Sequence, residues 1–372
     1  MATIILKPTE NCNSNCLYCD VARKKRKVRT MPPETLGIIF ERINEYLTDK
    51  QEEDIHIIWH GGEPLLLGPD YFENAYRMQE ETCGATKGRI CHAIQSNLTV
   101  FSEAFVPVFR KLGIDQIGSS FDPVPHVRGR GVEKPDSDTY NRAFMKGDAL
   151  SKKHGFSSGV IYVVTKKSLQ KPLELFHYMA NLKIGSGFDF HPVLIDDSRK
   201  KDLAITPKQF VEFLGAIFPV WWEHRERYPD VNPFKSYLTL IDERRQSLVC
   251  SDSGRCAYSH INIAPDGSLS HCGRSSDWGV LDYGNVEQKS FSEVMLDEQR
   301  KALLVRTELL RNSGCGKCRF WTICHGGCPL DSWFTHKDFR HKTNWCHAKR
   351  GFLERYFEPV TGLRFEPFDE TR

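Results

Sequence analysis

Through the first half of this 372-residue chain, short apolar runs alternate with longer stretches whose apolar positions recur every three to four residues. The short runs predict strands at Thr3–Leu6, Ile55–Trp59, Ile90–Ser96, Ile114–Phe121, Gly159–Val164 and Phe188–Leu194. The longer stretches predict helices beginning near Pro33, Asp70, Ser102, Asp138 and Ser168. Several of these starts carry Asp or Ser at the N-cap, where a short side-chain oxygen accepts from an orphaned amide. Strands alternating with helices in this way make successive βαβ units with right-handed crossovers and parallel pairing. The expected class is α/β, a partial (β/α)6 TIM-like barrel. Chemistry in such barrels gathers in the loops at the C-terminal ends of the strands, so a motif just past a strand is well placed for function.

Beyond residue 200 the pattern changes. Residues 201–249 read as a helical bridge, with helices expected at Pro207–Glu223 and Phe234–Leu248. From Cys250 to Cys346 the texture turns to Cys, Gly, Ser and Trp with few long periodic runs. That is the look of a small domain held by metal more than by a large core. The expected organisation is 1–200 barrel, 201–249 bridge, 250–346 cysteine-rich domain, and 347–372 C-terminal helix and tail.

Composition narrows the function classes. A net charge of +3 is too small to argue for a nucleic-acid binder. No run of 18 or more apolar residues suggests a membrane span. The start Met1-Ala2-Thr3-Ile4-Ile5-Leu6-Lys7-Pro8 lacks the features of a secretory signal, so the expected location is cytoplasmic. In a reducing cytosol, 13 cysteines point to metal or catalysis before disulfides, and the odd total fits a disulfide framework poorly. The basic run Arg23-Lys24-Lys25-Arg26-Lys27-Val28-Arg29 reads first as a solvated loop, and second as an attractor for an acidic peptide.

The first cysteine group, Cys12-Asn13-Ser14-Asn15-Cys16-Leu17-Tyr18-Cys19, follows directly on the first strand. Three thiolates can hold three irons of a [4Fe–4S] cube and leave the fourth iron open, where a closed cluster uses four. A structural zinc site or a redox pair is the plainer alternative. The loop resembles the signature of the radical S-adenosylmethionine (SAM) superfamily. That resemblance implies that the open iron chelates the amino and carboxylate groups of SAM, whose cleavage yields a 5′-deoxyadenosyl radical. It places Tyr18 near the adenine. It also assigns Gly61, Gly62, Glu63 and Pro64, after the second strand, to the segment that binds the SAM amino group. Gln95, Asn97, Ser120 and Asp122, at the ends of strands three and four, correspond to positions lining the ribose, the carboxylate and the substrate. Arg142 resembles an arginine that holds the SAM carboxylate. Read without the resemblance, these would be a turn, strand caps and a surface arginine, and His60 a structural histidine.

The remaining cysteines are spaced as Cys250-x5-Cys256, then Gly267-x4-Cys272, then Cys315-x2-Cys318-x5-Cys324-x3-Cys328, and finally Cys346. Clusters of this spacing read as metal sites, and two zinc ribbons would also suit them. The set resembles the SPASM domain. That resemblance implies two auxiliary [4Fe–4S] clusters: one on Cys250, Cys256, Cys272 and Cys328, the other on Cys315, Cys318, Cys324 and Cys346. With the radical SAM cluster this makes three. Cys83 and Cys91 are left as buried, inert thiols.

Full SPASM domains imply a peptide or protein substrate and an electron donor such as flavodoxin or ferredoxin. The layout is similar to that of sulfatase-maturing enzymes, which make formylglycine. In that group an Asp serving as base follows the third auxiliary cysteine, whereas here Cys272 is followed by Gly273, and Asp277 is the nearest carboxylate downstream. The expected function is therefore a peptide maturase that abstracts hydrogen and forms a crosslink, a cyclophane or a thioether. Formylglycine formation and a small-molecule dehydrogenase are the alternatives. An electron carrier or scaffold would need no SAM pocket. With no fused leader-binding domain before Cys12, leader recognition is expected from a separate protein or from the barrel.

Overall fold

The computed structural model describes residues 2–19, 21, 29–130, 135–184, 187–194, 198–242, 248 and 250–366. Its strands are β1 (Ala2–Thr9), β2 (Ile55–Gly61), β3 (Ile90–Gln95), β4 (Gln116–Ser120), β5 (Ser157–Val164), β6 (Gly187–Pro192), β7 (Asp230–Asn232), β8 (His260–Ile263), β9 (Ser268–Ser270) and β10 (Asp282–Asn285). The chain divides into two compact units, Met1–Val160 with Tyr258–Arg300, and Ile161–Ala257 with Lys301–Arg372.

In the first unit the strands run in the order β10-β9-β8-β1-β2-β3-β4. β1 is central and parallel to both neighbours: Ile4 faces Ile57 of β2 and Ile261 of β8. β2 pairs in parallel with β3, and β3 with β4. β9 is antiparallel to β8 and to β10. Alternation along β1 and β2 buries Ile4, Leu6, Ile57 and Trp59 on one side, as a period of two requires. Trp59 then packs edge-on against Phe72 of the helix Pro69–Thr82, which continues through Phe105 and Phe109 to Phe156. Burying each such side chain contributes roughly 1.5–3 kcal/mol.

The helix expected near Ser102 starts as a 3-10 turn, Glu103–Phe105, and continues as Val106–Lys111. The strands β8, β9 and β10 lie in the cysteine-rich third, where the sequence pattern predicts none. Four residues, His260-Ile261-Asn262-Ile263, are too few to show a period. Their strand state comes from pairing with Thr3–Leu6 more than from local preference.

In the second unit β6 pairs in parallel with β7. The helix Pro207–Glu223 begins with a capping box, in which Thr206 accepts from the Gln209 amide while the Gln209 side chain accepts from that of Thr206. Its buried face carries Val211, Leu214, Ile217, Phe218 and Trp221. Phe218 meets Phe234, Phe352 and Phe357 at 5.0–5.4 Å between ring centres. At Gly215 a Cβ would lie 2.3 Å from the Tyr356 ring, so only glycine permits that approach. Among the described residues Lys201–Glu223 is the one stretch long and apolar enough to cross a membrane, and half of it is buried within the fold. The helix expected over Phe234–Leu248 forms as Phe234–Asp242, and most of the rest lies outside the described residues.

Candidate functional site

β1 delivers the chain to the loop of Cys12, Cys16 and Cys19, and other segments hold that loop by its backbone. The Asn15 and Leu17 amides donate to the Gly129 and Val127 carbonyls at 2.7 and 2.8 Å. The Gly62 and Glu63 amides donate to the Thr9 and Asn11 carbonyls at 2.9 and 2.7 Å. This explains the paired glycines. A Cβ on Gly61 would sit 2.3 Å from the Thr9 oxygen, and one on Gly62 would sit 2.1 Å from the Asn11 oxygen. Gly61 also holds φ at +116°, which side chains disfavour. The glycines therefore let the second strand end lie directly against the cysteine loop.

Glu63 caps the 3-10 turn Pro64–Leu67, with Pro64 at its start. One oxygen, Oε1, accepts from the Leu65 amide at 3.1 Å and from the Ser96 hydroxyl at 2.8 Å. The other, Oε2, accepts from the Asn97 amide at 2.6 Å. A carboxylate offers about four acceptor positions, so one more donor fits on Oε2. Burial pushes the Glu63 carboxyl upward against these bonds. The Asn97 side chain donates to Asn13 at 2.8 Å, joining the end of β3 to the cysteine loop. The Cys12 thiol lies within electrostatic reach of Cys16, Cys19 and Glu63, and burial pushes it up to about 12. Thiols clustered in this way, beside a carboxylate with spare capacity, suit a cluster with an open iron and an amino-acid ligand.

Sequence reasoning missed Arg128. Its guanidinium is buried, donating from Nε to the Tyr140 hydroxyl at 2.6 Å and from Nη1 to the Tyr18 hydroxyl at 3.1 Å. It sits in an aperiodic loop, and only tertiary contact with Tyr18 and Tyr140 reveals it. Arg142 is not brought to this group. It is exposed and donates to Thr139 at 3.1 Å, because its helix turns Tyr140 and Phe144 inward. Gln95 lies over Gly118, where a Cβ would clash with its Oε1 at 2.0 Å. The Ser120 carbonyl accepts from Tyr140, and buried Asp122 accepts from the Val124 amide.

A second cluster in the same unit surrounds Asp277. Its carboxylate pairs with the Lys7 ammonium at 3.0 Å, with side chains 7% and 2% exposed. Lys7 also donates to the Gly273 carbonyl at 3.0 Å. His60 lies within electrostatic reach of both charges. Burial, aided by Lys7, pushes it down to about 4. A Cβ on Gly273 would stand 3.5 Å from the Lys7 chain, so Asp277 comes, one helical turn on, to the same lysine.

In the second unit Cys315, Cys318, Cys324 and Cys346 line one cavity of about 450 Å³, within the range of cofactor pockets. Burial and the other three thiols together push Cys346 upward. Of the remaining set, Cys250, Cys256 and Cys328 belong to this unit and Cys272 to the first. None of the 13 cysteines is in a disulfide, and among the described residues no three Cys, His, Asp or Glu groups converge closely enough for a single ion. Cys83 is buried, its thiol near the Phe40 carbonyl. Cys91, expected to be buried, is exposed, because strand alternation turns it away from buried Ile90 and His92. The basic run lies outside the described residues except for Arg29, which pairs with Glu10 and Asp266.

Residues 6–179 match the family model of the radical SAM superfamily. The chain is 22% identical over 375 residues to a cysteine-type anaerobic sulfatase-maturating enzyme of Clostridium novyi (strain NT), covering 96% of both chains. It is 23% identical over 338 residues to a serine-type anaerobic sulfatase-maturating enzyme of Klebsiella aerogenes, covering 88% of this chain and 79% of that one. Its fold is that of native anSMEcpe solved with bound AdoMet, at a TM-score of 0.80 and 20% identity over 97% of this chain and 98% of that one. Streptococcus suis SuiB, solved with its precursor peptide SuiA, aligns at a TM-score of 0.61 and 20% identity, covering 93% and 75%.

Proposed function

We propose that this chain, whose residues 6–179 match the radical SAM superfamily and whose C-terminal part is cysteine-rich, is a radical SAM enzyme and a cytoplasmic maturase of a peptide or protein. Its family implies a [4Fe–4S] cluster and SAM. The finer reading has three clusters: one on Cys12, Cys16 and Cys19, one on Cys250, Cys256, Cys272 and Cys328, and one on Cys315, Cys318, Cys324 and Cys346. When bound, these supply the electron that cleaves SAM to a 5′-deoxyadenosyl radical and take up the electron that the substrate loses. The chain's own residues do the rest. Glu63 receives the SAM ammonium on Oε2. Tyr18, Gly61, Gly62, Pro64, Gln95, Asn97, Ser120 and Asp122 form the wall around SAM, with Arg128 fixing Tyr18.

The observation that carries the choice of product is Gly273. No side chain follows Cys272, and the nearby carboxylate, Asp277, is held by Lys7. A carboxylate within reach of the reacting proton is needed for general base catalysis. Gly273 offers none at the position after Cys272, which favours a crosslink, through a thioether or a carbon–carbon bond, over formylglycine. Formylglycine formation is the second reading. The full-length similarity to sulfatase-maturating enzymes favours it, and so does the way Asp277 reaches the lysine beside Gly273.

Mass spectrometry with an aldehyde-trapping hydrazine separates the two. A sulfatase-type Cys-x-Pro-x-Arg peptide is expected to yield no aldehyde. The enzyme's own peptide is expected to lose two hydrogens in a form that survives reduction and alkylation. A trapped aldehyde at turnover comparable to SAM cleavage would replace crosslinking with formylglycine formation. In either case Asp277→Asn is expected to cut product formation about 100-fold or more, the usual range for a lost general base, with SAM cleavage retained. Unchanged product formation would remove Asp277 from the mechanism. A separate leader-binding protein and a flavodoxin or ferredoxin donor complete the proposed partners.

A further inference from the structure

We infer that Lys349 is a positioning residue that sets the reduction potential of the Cys315, Cys318, Cys324 and Cys346 site, with Asp252 as its counterweight. This rests on the reading above that a cluster is bound there. Lys349 lies one helical turn after Cys346, on the helix Cys346–Phe352, and lines the same cavity as the four cysteines. Cys324 acts electrostatically on its ammonium. Lys349 donates to Asp252 Oδ1, and the two side chains are only 13% and 10% exposed. Asp252 belongs to the turn Cys250–Ser253, whose first residue is assigned to the other auxiliary site. His325 contacts the Asp252 carbonyl through Nδ1 at 2.6 Å, and buried Tyr237 lies within reach of Asp252, Lys349 and Cys324. The ion pair is thus built into the wall of the cavity.

Other cations around the cavity are weaker influences. Arg340 and Arg350 are 69% and 60% exposed and pair with Asp338 and Glu354. Water and salt screen such charges over short distances. Lys342 is exposed as well. Arg306 is buried, but it donates to the Gly326 and His341 carbonyls and acts on Cys315 and Cys324 as well as on Cys256 and Cys328. Its charge is therefore shared by both auxiliary sets. Arg319 acts on Cys318 but is 33% exposed and is paired with Glu354 and Glu358, so among the described residues Lys349, at 13%, is the more shielded charge belonging to this set. Reduction adds one negative charge to a cluster, so a nearby fixed cation favours the reduced form and raises the potential. Asp252 opposes it.

The test is an anaerobic redox titration followed by electron paramagnetic resonance. The background is Cys12→Ala/Cys16→Ala/Cys19→Ala, which leaves only the auxiliary sites. Iron content and the loss of one couple on Cys346→Ser first establish that a cluster is held there; no iron in this background would sink the cluster assignment itself. With the cluster present, Lys349→Met is expected to disfavour reduction of that couple at least tenfold, a downward shift of about 59 mV for one electron. Asp252→Asn is expected to move the same couple upward, and Lys349→Arg to leave it near its original value. The opposite signs distinguish a set potential from mere loosening of the site. If Lys349→Met fails to hold iron, the Asp252→Asn and Lys349→Arg pair still decides. A couple that stays in place, or moves the same way in the Met and Asn variants, overturns the proposal.

Discussion

The two cysteine sites are built on opposite principles. In the first unit three thiols sit on a loop pinned by its backbone to residues 127 and 129 and to the end of β2; the Glu63 carboxylate acts on Cys12, and the buried Arg128 guanidinium acts on Cys16. In the second unit four thiols line a cavity, and the shielded cation in its wall is the Lys349 ammonium, paired with Asp252. A carboxylate with a spare acceptor position and a missing fourth thiol suit a site that must accept an ammonium-bearing ligand. A cationic neighbour and a full set of thiols suit one that must accept an electron. On the proposed reading, the same residue type serves ligand binding at one site and electron uptake at the other, according to loop geometry, the number of thiols and the charged groups beside them.

The sharpest way to break this comparison is to delete each site in turn. Cys12→Ala/Cys16→Ala/Cys19→Ala is expected to abolish SAM cleavage and remove about four irons. Replacing Cys315, Cys318, Cys324 and Cys346 by Ala is expected to remove a similar amount of iron while slow release of 5′-deoxyadenosine continues. Iron assay and chromatography of the nucleoside check both. Loss of SAM cleavage in the second variant would mean that the two sites do not divide the work.

Acid separates the units next. Burial holds His60 and His260 at about 4, and His92 and His271 at about 3, all in the first unit. These groups bind fewer protons folded than unfolded, where histidine titrates near 6.5. Their contribution is present above pH 6.5 and is lost as pH falls toward 4 and then 3. The slope is roughly 1.4 kcal/mol per pH unit for each histidine titrating. In the second unit only His325 is shown to be similarly lowered among the described residues. Hydrogen exchange at pH 7 and pH 5 is expected to show earlier loss of protection in β1, β2 and β8 than in the helix Pro207–Glu223. Equal loss in both would refute the assignment. Smaller again is Glu63→Ala, expected to weaken SAM binding by about 1.5–3 kcal/mol through loss of a charged hydrogen bond. Titration calorimetry measures it, and an unchanged affinity would move the ammonium site elsewhere.

Much of this is legible in the sequence because it is local. The alternation that marks β1 to β4, the cysteine spacings and the Gly61-Gly62-Glu63 turn each lie within a few residues. What stays hidden depends on distant partners. Arg128 has no motif, and its meaning comes from two tyrosine hydroxyls. The need for Gly61 and Gly62 comes from the Thr9 and Asn11 carbonyls, where the sequence suggests a ligand. Asp277 can be named from sequence, but not its lysine, 270 residues away. Cys91 is misread because composition does not tell which side of a strand a thiol takes.

The pairing of Thr3–Leu6 with His260–Ile263 has a consequence for how the protein is made. At about 5–20 residues per second, a ribosome needs on the order of ten seconds or more to go from β2 to β8. Until then one edge of β1 keeps its amides and carbonyls unpaired, an invitation to the wrong strand. The cysteine loop hangs from the end of that same strand. The nascent chain therefore carries an unfinished edge and three cysteine thiols together through most of translation, and completing the edge must await the arrival of the cysteine-rich third.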